Sequence, residues 1–317
     1  MGLFFWRAQV RRLCVPALLA VAGCTPSAPP PPAPTAPDPA FEQAQQQWRA
    51  ERHAALTAAD GWTSLVGLHW LEHKAHYIGR GPGSGIRLAV GPARLGLVSR
   101  QGAGWVFTPE RGAGVQVAGR ALRGPIAFAS DSDPAPVKLQ FDDGKGELSL
   151  IHRGERHALR VKHADAPSRR GFKGIDYWPG GPQWQVKARF LAHPPGRTLP
   201  IADITGLTTA MPNAGRVEFE RDGRLYRLEA IAGPGQPLFL IFADRTSGHG
   251  SYPPGRYLDT AAPDARGEVV LDFNQAYNPP CAFTPYATCP LAPPENRLDL
   301  AVQAGERTYH LAEGEAP

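Results

Sequence analysis

Arg216 to Ile231 reads RVEFERDGRLYRLEAI. Two alternating runs, RVEFE and RLYRLEAI, meet at Asp222-Gly223, a pair suited to the positive φ angles that a two-residue hairpin turn requires. An antiparallel pair is therefore expected here, and the neighbouring segments extend it. WQVKARF and TLPIADI precede it, and LFLIFAD, GRYLDTA, EVVLDFN and RLDLAVQ follow, giving eight strand candidates after Gly171. They predict an antiparallel sheet or a partly closed barrel over 169–317.

The same pattern fills the preceding part. IRLAV, ARLGLVSR, GWVFTP, GVQVAG, VKLQF, ELSLIHR and HALRVKHA lie between Ile78 and Ala164, with a second hairpin signal at Phe141-Asp142-Asp143-Gly144. They read as an antiparallel β-sandwich within a unit spanning 41–168. WTSLVGLHWL, after Asp60-Gly61, reads as a buried strand or strand pair. The one predicted helix is 41–58, with Phe41, Ala44, Trp48 and Ala55 along one face. Of 317 residues 34 are Pro and 35 are Gly, which excludes a helical bundle because both residues break helices. The 42% of apolar residues suffices for a core, so the expected fold class is all-β.

Arg7, Arg11 and Arg12, without any acid, precede the apolar run Leu13 to Ala22, too short to span a bilayer; residues 1–23 are expected to be a signal peptide. Val21-Ala22-Gly23-Cys24 resembles the lipobox of bacterial lipoproteins, and the resemblance implies acylation of Cys24. Residues 24–40 form a Pro-rich linker. As polyproline II, at about 3.1 Å per residue, Pro26 to Pro39 would hold the folded part some 40 Å from the membrane. The expected location is the bacterial cell envelope, lipid-anchored and facing the periplasm or cell surface, with the outer membrane favoured over the inner.

Loss of the signal removes three Arg and lowers the formal charge from +5 to +2. With 28 Arg and 6 Lys scattered along the chain, no nucleic-acid partner is expected. Of the four Cys, Cys281 and Cys289 alone remain as thiols. In an oxidising compartment a disulfide is the favoured reading; zinc ligation and a redox role are the alternatives.

Asp272 to Arg297, DFNQAYNPPCAFTPYATCPLAPPENR, holds six Pro and so forms a stiff, irregular loop. Long loops inside compact domains are often functional. The candidate ligand-binding residues are Asp272, Asn274, Tyr277, Asn278, Tyr286, Glu295, Asn296 and Arg297, facing Asp244, Thr246, Ser247, Tyr252 and Arg256. Arg297 or Arg256 would clamp a carboxylate or phosphate, Asp272 and Glu295 would act as acid and base, and the two tyrosines would wall the pocket. The same residues also suit turn caps, an internal Arg297–Glu295 pair and a cover for a sheet edge.

His69-Trp70-Leu71-Glu72-His73 spells the inverted zinc-protease signature, but the surrounding glycines argue for a strand and turn rather than the helix that chemistry needs. His152, His157 and His163 read as surface residues of a hairpin. No G-x-S-x-G, P-loop or dinucleotide fingerprint is present, and no cofactor or resident metal is expected.

Two further resemblances enter here. YIGRGPGSGIRL, GWVFTP, VQVAGRAL and LSLIHRG follow the strand and turn order of forkhead-associated domains, with Gly79-Arg80 where that family has its first ligand-contacting arginine. The family's Ser-x-x-His element is missing, so the resemblance implies a sandwich and not a function. AYNPPCAFTPYATCPLAPPENRL, with Ala304-Gly305-Glu306, GWTSLVGLHWLE, GFKGIDYWP and FADRTSGHGSYPPGRYL, resembles the bacterial and archaeal family known as domain of unknown function 1684. That resemblance runs from about Trp48 to Tyr309 and implies a fold and a site but no reaction. The readings it leaves are a protein binding a small ligand or an envelope component, and a periplasmic hydrolase using carboxylates or a bound metal.

Overall fold

The computed structural model describes residues 38–310; the signal segment, Cys24 and the linker as far as residue 37 lie outside the described residues. The helix runs from Pro39 to Thr57. Asp38 caps it by accepting the Ala40 N–H at 3.0 Å, and Pro39 in the first turn suits its missing donor. It therefore takes up the last two residues of the linker segment. Its covered face differs from the expected apolar stripe. Gln45 and Leu56 are buried, Phe41, Trp48 and Arg52 are half-buried, and Ala44 and Ala55 are exposed. The reason is the surface beneath: Gln45 donates to Asp272 at 2.7 Å, Arg52 pairs with Glu306 at 2.8 Å, and Trp48 meets the edge of Tyr177.

Two sheets follow. One has six strands in the order Leu65–Trp70, Arg156–His163, Gly146–Arg153, Lys138–Phe141, Gln116–Val117 and Arg120–Ala121. The other has five, in the order Ile86–Arg87, Ala75–Gly79, Gly96–Gln101, Gly104–Pro109 and Ile126–Ala127. Leu139, Leu148 and Leu159 of the first share a core with Val98 and Phe107 of the second, all at 0% exposure. This is sandwich packing, each sheet burying alternate residues. Of IRLAV only Ile86–Arg87 pairs, because Gly91, at φ 91°, and Pro92 turn the chain away. His163 is buried, not on the surface, and its ring lies 2.9 Å from the Asp142 carboxylate.

The later strands form an open four-stranded sheet ordered Arg224–Ala230, Gly215–Arg221, Gln185–Ala192 and Glu268–Asp272. The expected hairpin is present: Asp222 and Gly223 take φ of 52° and 71°, and Arg221 faces Arg224 across the turn. Val217, Phe219, Leu228 and Ala230 alternate inward. Two ribbons accompany the sheet, Thr198–Ala202 with Thr208–Pro212 and Leu238–Phe242 with Arg256–Thr260. None of these sheets closes into a barrel. Leu228, Leu240, Leu258 and Leu271 are all fully buried, each contributing roughly 1.5–3 kcal/mol by removal from water.

RLDLAVQ is not a strand, although its apolar residues alternate. Leu298 N–H reaches the Ala243 carbonyl and Arg245 N–H reaches that of Leu300, but the Val302 N–H points to the Asp244 carboxylate at 3.4 Å. A side chain replaces the rung that would continue the ladder.

Candidate functional site

The Asp272 to Arg297 loop is built from three short 3-10 turns, Phe273–Gln275, Pro280–Ala282 and Pro294–Asn296, two of them with proline in the first turn. Cys281 and Cys289 form a disulfide across it, with Cα atoms 6.1 Å apart.

The asparagines of this loop act as substitute backbone. Asn296, at 0% exposure, accepts the Glu229 N–H at 2.6 Å and donates to the carbonyls of Glu229 and Ile241, both at 2.9 Å. It thus joins two strands that do not bond to each other at that point. Asn274 does the same for Gly181, accepting its N–H at 2.8 Å and donating to its carbonyl at 3.0 Å. Asn278 donates to the Arg307 carbonyl, and its own N–H is received by Glu306 at 2.7 Å.

Arg256 is fully buried, and its guanidinium is surrounded by acceptors of its own chain. It donates to Asp244 at 2.8 Å, to the Val302 carbonyl at 2.9 Å, and to the carbonyls of Ala304 and Glu306. Burial pulls its pKa down, while the Asp244 carboxylate opposes that shift and the guanidinium stays charged. The second Asp244 oxygen accepts both the N–H and the hydroxyl of Thr246 at 2.6 Å, and Thr246 continues through Ser251 to the Trp178 indole N–H. A ligand would have to displace this network to reach Arg256.

Glu306 is also fully buried, receiving Arg52 and the Asn278 N–H. Desolvation raises its pKa, with Arg52 and Asn278 opposing. Asp272 caps the first turn and accepts from Gln45, Gln185 and Asn274, so its lone pairs are already in use. The Tyr277 hydroxyl donates to Asp259 at 2.7 Å, and burial together with that carboxylate raises its pKa. Tyr252 packs with Leu56, Phe172 and Phe283, where burial raises its pKa. Tyr286 is half-buried, its N–H bound to Thr284, and Glu295 is exposed in the last turn.

Arg297 behaves differently. Its rung bridges to Ala243, with Asn296 and Leu298 on either side pointing inward, so strand alternation turns Arg297 outward. Among the described residues it forms no ion pair and its guanidinium donates no hydrogen bond. It lines a cleft of about 700 Å³ shared by Asp244, Arg245, Ser247 and Thr208 and walled by five prolines, Pro200, Pro253, Pro254, Pro293 and Pro294. Arg245, also at the mouth, is held by Asp299, which takes Arg224 as well.

Of the predicted residues, the structure brings Asp244, Ser247 and Arg297 to this cleft. It places Asp272, Asn274, Asn278, Asn296 and Arg256 in internal bonding, and neither Asp272 nor Glu295 lines the cleft. Arg52 and Asp259, partners that complete these networks, carry no local sequence signal; Glu306 lies in a motif of the family resemblance, but its partner Arg52 is 254 residues away. Farther away, His69 lies on the strand Leu65–Trp70 and His73 follows it, stacked on His76, with no helix to carry the zinc-protease pair. Among the described residues no group of three or more His, Cys, Asp or Glu is placed to hold a metal ion.

Comparison with known proteins gives three results. A solution NMR structure of an uncharacterized protein from gene locus rrnAC0354 of Haloarcula marismortui is 34% identical over 45% of this chain and 80% of that one, with a TM-score of 0.37. No curated protein matches the chain. A family model matches residues 170–307, a shorter stretch than the motifs from Trp48 onward imply. Over residues 170–307 the chain belongs to the family described as Protein of unknown function (DUF1684).

Proposed function

We propose that this protein is a lipid-anchored binding protein of the bacterial cell envelope, taking a small carboxylate or phosphate in the cleft beside Arg297. The observation that carries the reading is that guanidinium, exposed on a stiff proline-walled cleft and free of any carboxylate among the described residues. A preorganised arginine fork matches two oxygens of such an anion. The rigid frame behind it, with Asn296 at 0% exposure, fixes the backbone from which that side chain reaches into the cleft. The anchor is assigned to Cys24 on the lipobox resemblance of Val21-Ala22-Gly23-Cys24.

Titration calorimetry of the mature protein with inorganic phosphate and with succinate should reveal one saturable site for one of them, lost in Arg297→Ala. Failure of both anions to bind, or undiminished binding by the variant, contradicts the reading. Labelled palmitate should enter the wild type in cells and not Cys24→Ala; equal labelling of the two removes the anchor.

A further inference from the structure

A second cleft, of about 690 Å³, opens where four loops of the family region converge: 192–198, 212–214, 232–238 and 263–267. Its size lies within the range of small-molecule sites. Its walls are apolar, formed among others by Phe190, Pro194, Pro234 and Leu238. It shares no residue with the cleft of Arg297.

Two polar features mark it as more than a gap. Asn213, at 2% exposure, lines the cleft and is fixed on three sides. Its N–H donates to the Arg197 carbonyl, and its Nδ2 donates to the carbonyls of Gly215 and Ala230 at 3.2 and 2.9 Å. Those two bonds settle which end of the amide is oxygen, and Oδ1 is buried without a donor. Buried acceptors are nearly always satisfied, so an unmet one in a cleft wall points to a donor from outside the chain.

The second feature is Arg197, exposed at the rim, with no ion pair and no side-chain hydrogen bond among the described residues. The other ionisable groups around the cleft are occupied: His193 lies 2.7 Å from Glu229, and Asp264 is taken by Arg266 and by the N–H groups of Arg266 and Glu268. Arg197 is thus the unpaired charge among the residues lining the cleft, placed at its rim where an anion can meet it.

We infer that this cleft binds a small amphipathic monoanion: an apolar body against Phe190 and Leu238, an acidic group on Arg197, and an N–H donating to Asn213 Oδ1. An N-acyl amino acid has these three parts. The inference stands on residues separate from those of the anion site proposed above.

Anilinonaphthalene sulfonate, which combines aromatic rings, an anilino N–H and a sulfonate, serves as the probe on the mature wild-type protein. Its fluorescence should rise with a single saturable site, and N-octanoylglycine should displace it. Arg197→Ala should weaken both about tenfold through loss of a charge-assisted bond, and Ala192→Trp, which projects from an exposed wall position, should abolish both. Arg297→Ala should leave this binding unchanged, so the failure of one site is distinguishable from failure of the other. An ester analogue lacking the amide N–H should compete more weakly; equal competition would overturn the role given to Asn213. Absence of the probe signal, or a signal indifferent to both Arg197→Ala and Ala192→Trp in variants with unaltered near-ultraviolet circular dichroism, would overturn the site.

Discussion

Adjacent residues in the Pro-rich loop should respond to the same substitution in opposite ways. Asn296→Ala deletes three hydrogen bonds, of 2.6, 2.9 and 2.9 Å, and leaves the N–H and carbonyl of Glu229 and the carbonyl of Ile241 without their partner. At about 1 kcal/mol net per bond, with a further penalty for the orphaned groups in a site of 0% exposure, the loss is about 3–4 kcal/mol. For a folded unit of this size that corresponds to a fall in thermal midpoint of roughly 5–7 °C. Arg297→Ala removes an exposed side chain with no partner, and should cost less than about 0.5 kcal/mol. Urea unfolding of both variants, followed by far-ultraviolet circular dichroism, separates the two expectations. Equal losses, or a larger one for Arg297→Ala, would refute the division between frame and site.

Two other perturbations follow from the same networks. Replacing Cys281 and Cys289 together by serine opens an eight-residue separation and should lower stability by roughly 2.5 kcal/mol on the chain-entropy model, and an unchanged urea midpoint would mean that the bond contributes nothing. Glu306 has a folded pKa raised above its ordinary 4.5, so between 4.5 and the folded value the native state holds a proton that the unfolded chain has released. Its contribution is therefore present in full below pH 4.5 and is lost as pH rises through the folded value. The stability difference between wild type and Glu306→Gln should shrink across that window, and a difference independent of pH would show that the carboxyl does not titrate there.

The fold was legible where backbone chemistry is local. Asp222-Gly223 needs only its own two residues to declare a turn, and the flanking alternation places Val217, Phe219, Leu228 and Ala230 inward without further information. RLDLAVQ carries the same alternation and fails as a strand because Asp244, 58 residues earlier, supplies a carboxylate where a carbonyl would stand. The helix was found from its period, but its buried face was not, since Gln45 and Arg52 are covered by partners more than 220 residues away. Sequence marks apolar faces well and polar docking faces poorly. In the loop, six prolines revealed stiffness, while the separation of Arg256 from Arg297 depended on nonlocal acceptors. The carbonyls of Val302 and Ala304 close around the first, and alternation beside Asn296 turns the second outward.

Binding of an anionic ligand by Arg297, and not by the buried Arg256, is the basis of the proposed function. It is tested most directly by following arginine Nε–H resonances of the labelled mature protein during titration with phosphate and with succinate. The Arg297 signal is expected to move and saturate with one of these anions while that of Arg256 stays in place. A stationary Arg297 signal with both anions, or a saturating shift of Arg256, would contradict it.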